Sequence, residues 1–255
     1  MFLLGLIDDV YTLDAKFKLF IQVAIVTLVY LLGVKITTII NPFGGTIQLG
    51  AFSYIITLLW IVGISNAVNF IDGVDGLAGS VITVNSITLA IIAVAMVPPN
   101  PISALIGFIL AGSTLAFLTY NFNPAKIFMG DSGALFAGFL LASLSITGVM
   151  KGAALAIILP FVVLAVPIID ITYASLRRIS KGKSPFVADA EHIHHKLLKA
   201  GFSQKKTVAI LTSIAIVAGA IASYFVGSIK HYVIYIIILV FIMIALNIAK
   251  VLTKK

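Results

Sequence analysis

The stretch NFIDGVDGLAG, residues 69–79, sets one asparagine and two aspartates among glycines, directly after a long apolar run. Asn69 and Asp72 are three residues apart, so on a helix they would share a face, and Asp75 follows at the same interval. Oxygen ligands with this spacing suit a hard cation such as Mg²⁺, which prefers carboxylates and water. A polar turn with an Asx cap and glycine stops would explain the pattern equally well. These residues therefore predict either a metal site or an acidic turn.

A second acidic pair lies near the start of the chain, in GLIDDVYTLDAKFKL. The adjacent carboxylates of Asp8 and Asp9 repel each other, so one of them is expected to share a proton or to pair with a metal. The alternative is a helix cap followed by Lys16 and Lys18 at a membrane interface. The pair alone leaves both interpretations open.

A third candidate is Asp131, in YNFNPAKIFMGDSGAL. An apolar segment follows it, so Asp131 is expected at a helix N-terminus, where free N–H groups also favour phosphate. An ordinary N-cap is the alternative, because aspartate is common in that position. Phe128, three residues earlier, is either an interfacial aromatic or a surface on which a base could stack.

Three of the chain's four histidines lie close together in DAEHIHHKLLKAG. A helix over this segment, ending at Gly201, would align four possible phosphate donors on one face: His192, His195, Lys196 and Lys199. A zinc site is the rival interpretation, but without any cysteine it would need ligands from elsewhere in the chain. The basic residues by themselves could simply hold a loop on the cytoplasmic side.

The elements that position these residues are membrane spans. The chain is 61% hydrophobic and 10% charged, whereas soluble domains carry about 25% charged residues. We therefore predict an all-α, polytopic transmembrane helical bundle, a single integral-membrane domain over residues 1–255. Each span needs about 20 largely apolar residues. The eight segments that qualify are 17–34, 52–68, 79–97, 102–120, 133–149, 152–174, 207–227 and 232–250.

Alternating these spans puts all four polar segments on one side of the membrane. Of the 17 Lys and Arg residues, only Lys35, Lys151 and Lys230 fall in the loops of the other side. The positive-inside rule makes the motif-bearing side cytoplasmic, together with the C-terminus. This distribution accounts for the net charge of +8, so the charge does not indicate nucleic-acid binding. Acidic loops beside a basic one favour a cytoplasmic site for metal and phosphate.

Taken together, four segments resemble one family of membrane enzymes: GLIDDVYTLDAKFKLFIQ, NFIDGVDGLAG, NFNPAKIFMGDSG and EHIHHKLL. In order and spacing the chain is similar to the polyprenyl-phosphate N-acetylhexosamine-1-phosphate transferases, glycosyltransferase family 4. The HIHH motif resembles the undecaprenyl-phosphate N-acetylglucosamine-1-phosphate transferase branch, because the muramoyl-pentapeptide branch carries three consecutive histidines.

The resemblance implies transfer of N-acetylglucosamine 1-phosphate, or a related N-acetylhexosamine 1-phosphate, from a UDP-sugar to undecaprenyl or another polyprenyl phosphate. UMP would be released, in the first membrane step of cell-envelope polysaccharide synthesis. The resemblance also implies Mg²⁺, with Mn²⁺ as an alternative, bound by Asn69 and Asp131. Asp8 and Asp9 would orient or deprotonate the lipid phosphate, and direct displacement is favoured over a covalent phospho-enzyme.

Further roles follow from the same resemblance. Asp72 and Asp75 would organise the metal and the nucleotide, and Asn121 and Phe128 would contact the nucleoside. The remaining implied contacts, to phosphate or sugar, come from His192, His194, His195, Arg177 and Arg178.

Two alternatives remain beside the enzyme. Family members usually have further spans before the DD motif, so the chain is expected to be N-terminally incomplete, which allows an inactive fragment or a membrane scaffold. A cation-coupled transporter could instead use Asp170, the one acidic residue expected inside a span. The expected location is the plasma membrane with the active site on its cytoplasmic face, and a homodimer is compatible with the sequence without being indicated by it.

Overall fold

The computed structural model describes residues 1–40, 45–148, 158–180 and 192–226, and these are mostly helical. The helices follow one another along the chain as α1 (Phe2–Tyr11), α2 (Ala15–Leu31), α3 (Phe52–Ile71), α4 (Leu77–Ala95), α5 (Pro101–Asn121), α6 (Gly130–Gly148), α7 (Ile158–Val163), α8 (Ala165–Ser180), α9 (Ile193–Lys199) and α10 (Gln204–Val226). Two short strands, β1 (Thr38–Ile40) and β2 (Thr46–Gln48), separate α2 from α3.

Five of these helices are long and apolar enough to cross a membrane: α3, α4, α5, α6 and α10. They confirm five predicted spans, and α2 covers most of a sixth, 17–34. The predicted span 152–174 is described only from residue 158 onwards. Within the part that the structure describes, α7 ends at Val163 and α8 continues to Ser180. The predicted span 232–250 lies outside the described residues. The fold is a polytopic helical bundle.

Helix α4 forms the centre of the bundle, and 94% of its 18-residue apolar stretch is buried inside the protein. It packs against α5, α6 and α10. A helix that is apolar on every side has to be enclosed in this way or face lipid. The other spans share their buried faces with α4 or with each other, which fixes the ends of all these helices relative to one another.

Small residues allow close packing between α3 and α6. A Cβ atom on Gly138 would lie 2.7 Å from the Cα of Ser65, so only glycine fits there. Transmembrane helices approach each other closely at such small residues because lipid provides no hydrophobic drive for their association. This packing brings the C-terminal end of α3 beside the N-terminal end of α6, where two of the motifs lie.

The hairpin lies at the opposite end of α3 from the motifs. β1 and β2 pair antiparallel, with Thr38 opposite Gln48 and Ile40 opposite Thr46. The sequence analysis assigned no strand here, although threonine and isoleucine favour extended backbone. A hairpin of three-residue strands leaves the fold class unchanged.

Candidate active site

The first part of the site is an ion cluster between α1, α2 and α6. The Lys18 ammonium donates to Asp8 Oδ2 at 2.6 Å and also contacts Asp131 Oδ2. Asp8 Oδ1 accepts from the backbone N–H of Leu13 at 2.7 Å. Its hydrogen bond with Asp131, helped by Lys18, lowers the pKa of Asp8 to about 2 although burial opposes the shift. Asp8 is therefore an anion at neutral pH, held in place by a cation.

Asp9 caps the N-terminus of α6 from the neighbouring helix. Its two carboxylate oxygens accept the backbone N–H groups of Asp131 at 2.8 Å and Ser132 at 3.0 Å. Burial would raise the pKa of Asp9, but these hydrogen bonds outweigh it and the pKa is lowered. The sequence analysis proposed Asp131 itself as the possible cap. The structure shows that Asp9 fills that position and occupies the N–H groups that were expected to favour phosphate.

Asn69 and Asp72 close the cluster from the end of α3. The amide of Asn69 donates to Asp131 Oδ1 at 2.8 Å, so the two predicted metal ligands are neighbours. Asp72 follows as the C-cap of α3. Burial, together with the negative charges of Asp131, Asp9 and Asp75, raises the pKa of Asp72 to about 7. Asp72 can therefore exchange a proton near neutral pH.

Asp75 does not continue the helical face of Asn69 and Asp72. Because α3 ends at Ile71, the chain turns before Asp75, and the predicted i, i+3, i+6 ligand spacing is wrong for this residue. Asp75 Oδ2 accepts from the Asn123 amide and from the backbone N–H of Ala125, each at 3.1 Å. It therefore holds the loop between α5 and α6.

Asn121 holds the same loop from inside. Its Oδ1 accepts from the backbone N–H of Gly76 at 2.9 Å, and its amide donates to the carbonyl of Ile127 at 2.8 Å. Both ends of this buried side chain are thus engaged with backbone. Phe128, the next residue after Ile127, is 78% exposed. The loop presents an aromatic face that Asn121 braces.

The histidine segment differs from the predicted stripe. Helix α9 begins only at Ile193, and His192 is its N-cap with an extended backbone, so His192 does not lie on a helical face with His195. Instead, the His192 Nδ1 lies 2.7 Å from Asp170 Oδ2, and the backbone N–H of Ile193 donates to Asp170 Oδ1 at 2.7 Å. The physical reason for the difference is that this buried carboxylate draws the first turn of α9 towards α8.

His194 faces the loop after α3. A Cβ atom on Gly73 would lie 2.6 Å from His194 Nε2, so the ring rests against the bare backbone of that glycine. Within the described part of the chain, neither ring nitrogen of His194 has a hydrogen-bond partner. Burial and the neighbouring His195 lower the pKa of His194 to about 4, with Asp170 opposing only in part. At neutral pH the ring is an uncharged donor and acceptor beside Gly73.

Arg177 and Arg178 occupy the last turn of α8, where basic side chains complement the helix dipole. The sequence analysis put them in the loop after a span, but α8 extends through both. Arg178 is buried. Both lie about two turns beyond Asp170 on the same helix, towards the end that carries the motifs.

The acidic cluster offers the oxygen ligands that a divalent cation prefers. Asp8, Asp131 and Asn69 bring hard oxygen atoms, and the Lys18 ammonium between Asp8 and Asp131 marks a point of strong negative potential. Across residues 1–40, 45–148, 158–180 and 192–226, no three His, Asp or Glu side chains form a ready-made metal cage. The cation therefore stays a prediction that the donor set supports.

Two residues of the site have partners that the motifs do not reveal. Lys18 was interpreted as an interfacial lysine, and Asp170 as an acid within a span. It costs free energy to place a lysine one helical turn into a span, as at Lys18, or a single acid in a buried apolar helix, as at Asp170. That cost was the available signal, but the partners come from distant parts of the chain.

Comparison with known proteins identifies the family of the chain. A family model described as glycosyl transferase family 4 matches residues 1–149. A "Probable undecaprenyl-phosphate N-acetylglucosaminyl 1-phosphate transferase" of Bacillus subtilis is 39% identical over 210 residues, which cover 82% of the chain and 58% of that protein. A "Phospho-N-acetylmuramoyl-pentapeptide-transferase" of Streptococcus mutans is 32% identical over 67% of the chain and 50% of its own length.

A "Decaprenyl-phosphate N-acetylglucosaminephosphotransferase" of Mycobacterium tuberculosis is 37% identical over 87% of the chain and 61% of that protein. The chain thus spans about 50–61% of the length of these relatives. Because the family model matches more than half of the chain and the identities exceed 30% over most of it, the chain belongs to glycosyl transferase family 4.

Proposed function

We propose that this chain carries the catalytic unit of a polyprenyl-phosphate N-acetylglucosamine-1-phosphate transferase that uses a UDP-sugar. The observation that carries the proposal is that three separate motifs meet in one ionic cluster and the fourth lies against the loop next to it. Asp8, Asn69 and Asp131 are joined there by hydrogen bonds, and His194 lies against the adjoining loop. The relatives' names add the substrate class, and related N-acetylhexosamines remain within it.

The proposed reaction is a direct displacement at phosphorus. A phosphate oxygen of the lipid forms a new bond to the β-phosphorus of the UDP-sugar, and the bond from that phosphorus to the bridging oxygen breaks. UMP leaves with the bond's electron pair. Phosphoryl transfer of this kind depends mainly on positioning and charge neutralisation. A site at the ends of membrane helices can take its lipid from the bilayer and its nucleotide from water.

Mg²⁺, or Mn²⁺ in its place, would be held by Asp131 and Asn69 with Asp8 nearby, and would neutralise phosphate charge. The chain's own groups do the rest. Lys18 lies where it can attract phosphate oxygens, and Asp8, with its low pKa, orients groups better than it accepts protons. Asp72, at the end of α3, would help to organise the metal and the nucleotide.

The nucleoside and sugar would contact the outer loops. The exposed ring of Phe128 offers a face for stacking the uracil, while Asp75 and Asn121 keep the loop in shape. The uncharged ring of His194 and the ring of His195 next to it would hydrogen-bond to phosphate or sugar. His192, Arg177 and Arg178 would add further contacts to phosphate or sugar.

We further propose that the motif end of the bundle faces the cytoplasm of a plasma membrane, as the distribution of Lys and Arg predicts. A homodimer remains compatible with this arrangement. The scaffold and transporter alternatives make a different prediction, because neither requires UMP to form from a UDP-sugar.

The deciding experiment measures UMP release by purified protein, expressed from its complete reading frame, in detergent with lipid. UDP-N-acetylglucosamine, undecaprenyl phosphate and Mg²⁺ are omitted one at a time. We expect release to require all three and to fall about 100-fold or more in Asp131→Asn. The matched control is Asp14→Asn, because Asp14 only caps α2 and asparagine caps equally well. A folded protein that releases no UMP from any UDP-sugar would refute the enzyme and favour the alternatives.

A further inference from the structure

A carboxylate outside all four motifs joins the histidine segment to the bundle. Asp170 lies in α8 and is 2% exposed. One oxygen lies 2.7 Å from His192 Nδ1 and the other accepts the Ile193 backbone N–H at 2.7 Å. A single side chain thus caps α9 and fixes the ring next to it. Because a carboxylate can only accept, this contact requires the proton of His192 to sit on Nδ1.

The same histidine ring connects α9 to the end of α3. It stacks on Phe70, with ring centroids 5.2 Å apart and an interplanar angle of 26°. The His194 ring lies 5.8 Å from the His192 ring and is nearly parallel to it. Phe70 is two residues before Asp72. An unbroken series of contacts therefore runs from Asp170 through His192 to the loop on which His194 rests.

Helix α9 also packs Ile193, Leu197 and Leu198 against the apolar core, but apolar packing is non-directional and does not set the orientation of a histidine ring. The helix is seven residues long, well below the length at which an isolated helix holds together in water. Its exposed side is held by Lys196, whose ammonium lies over the ring of Tyr173 and contacts its hydroxyl. An exposed contact of this kind is weak compared with a buried carboxylate that uses both of its oxygens.

We propose that Asp170 is a positioning residue for the transferase reaction: it locks His192 and the start of α9 so that His194 is held against the loop after α3, with the ring of His195 next to it. The inference rests on the proposed function for what the histidines do, but not for where they lie. Asp170 touches no substrate in this scheme, and its effect passes through His192. The buried acid is thereby explained without any ion transport.

The test uses the absence of native cysteine. Spin labels are placed at Lys199→Cys in α9 and Lys126→Cys in the braced loop, both exposed, and the distance between them is measured by double electron–electron resonance. We expect a narrow distribution in the parent and a clearly broader one in Asp170→Ala. If that variant fails to fold, His192→Phe serves instead, because it keeps a ring on Phe70 but loses the hydrogen bond. Asn100→Ala is the control, since it removes a side-chain cap from α5 and should leave the distribution narrow.

Two further readouts separate positioning from general stability. In Asp170→Asn the cap for Ile193 can persist, but the amide now donates to His192, so the ¹⁵N shifts of one of the four histidines should report the opposite tautomer. The kcat for UMP release should fall about tenfold or more in Asp170→Ala, with the KM for the UDP-sugar changing less.

An unchanged distance distribution in folded Asp170→Ala, or a broader one with undiminished kcat, would overturn the positioning role. A parent protein that releases no UMP would instead count against the proposed function. The distance measurement would still decide whether Asp170 holds α9.

Discussion

At the scale of single residues, the site depends on Gly73, because the His194 ring packs against its backbone. Gly73→Ala would place a methyl group 2.6 Å from His194 Nε2, so the ring has to move. We expect UMP release to fall about 100-fold, because a displacement of about 1 Å near reacting groups costs that much. Gly63→Ala is the control within α3. No atom lies within 4 Å of its added Cβ among the described residues, and alanine favours a helix. Equal activity in the two variants would contradict this placement of His194.

The His194 ring also makes the stability of the folded protein depend on pH. His194 has a pKa of about 4 in the folded chain against 6.5 as its ordinary value, so below pH 6.5 the unfolded chain binds the proton first. Its contribution to stability is complete above pH 6.5 and is lost as the pH falls towards 4. Between pH 6.5 and pH 4, we expect the thermal midpoint of unfolding to drop less in His194→Gln than in the parent. Each 1 kcal/mol of unfolding free energy corresponds to a shift of about 2–4 °C in that midpoint. Parallel pH profiles for the two proteins would rule this out.

Lys18 is the residue whose removal tests the charge balance of the cluster. Lys18→Met leaves the carboxyl groups of Asp8 and Asp131 side by side without a cation, so ionising both of them becomes unfavourable. The thermal midpoint should fall in the absence of divalent ions, and millimolar Mg²⁺ should restore most of it. Lys16→Met, an exposed lysine of the same helix, should behave like the parent with and without Mg²⁺. A midpoint of Lys18→Met that ignores Mg²⁺ would argue against a cation between these carboxylates.

At the scale of elements, α1 is attached to α6 through Asp9, and this capping role can be separated from chemistry. Asp9→Ala removes the acceptor for two N–H groups at the start of α6 and should cost about 1 kcal/mol of stability. Asp9→Asn keeps an acceptor oxygen and should retain most of the stability. If the charge of Asp9 also takes part in the reaction, UMP release is lost in both variants. Full activity in Asp9→Asn would leave Asp9 as a cap alone.

Comparison of these elements with the sequence shows what local patterns can predict. The five spans follow from apolar length, and the convergence of the motifs follows from putting them on one side of the membrane. The turning away of Asp75 could not be predicted, because it depends on where α3 ends and on Asn123, 48 residues later. The capping by Asp9 of a helix 122 residues away is likewise a tertiary contact. The spacing of residues predicts which side chains can lie on one face of a helix, but not which distant residues they hydrogen-bond with.

At the scale of the whole molecule, the hairpin and the motif loops lie at opposite ends of α3, so they should face opposite sides of the membrane. Single cysteines at Gln48, in β2, and at Lys126, in the loop between α5 and α6, are both exposed and can be compared in the cysteine-free chain. Since most Lys and Arg lie on the motif side, we expect Lys126→Cys to react with a membrane-impermeant maleimide only after the cells are opened. Gln48→Cys should react in intact cells. The reverse labelling pattern would mean that the motif side faces the outside of the cell. An active site on that side could not bind a cytoplasmic UDP-sugar, so this result would refute both the proposed orientation and the proposed donor.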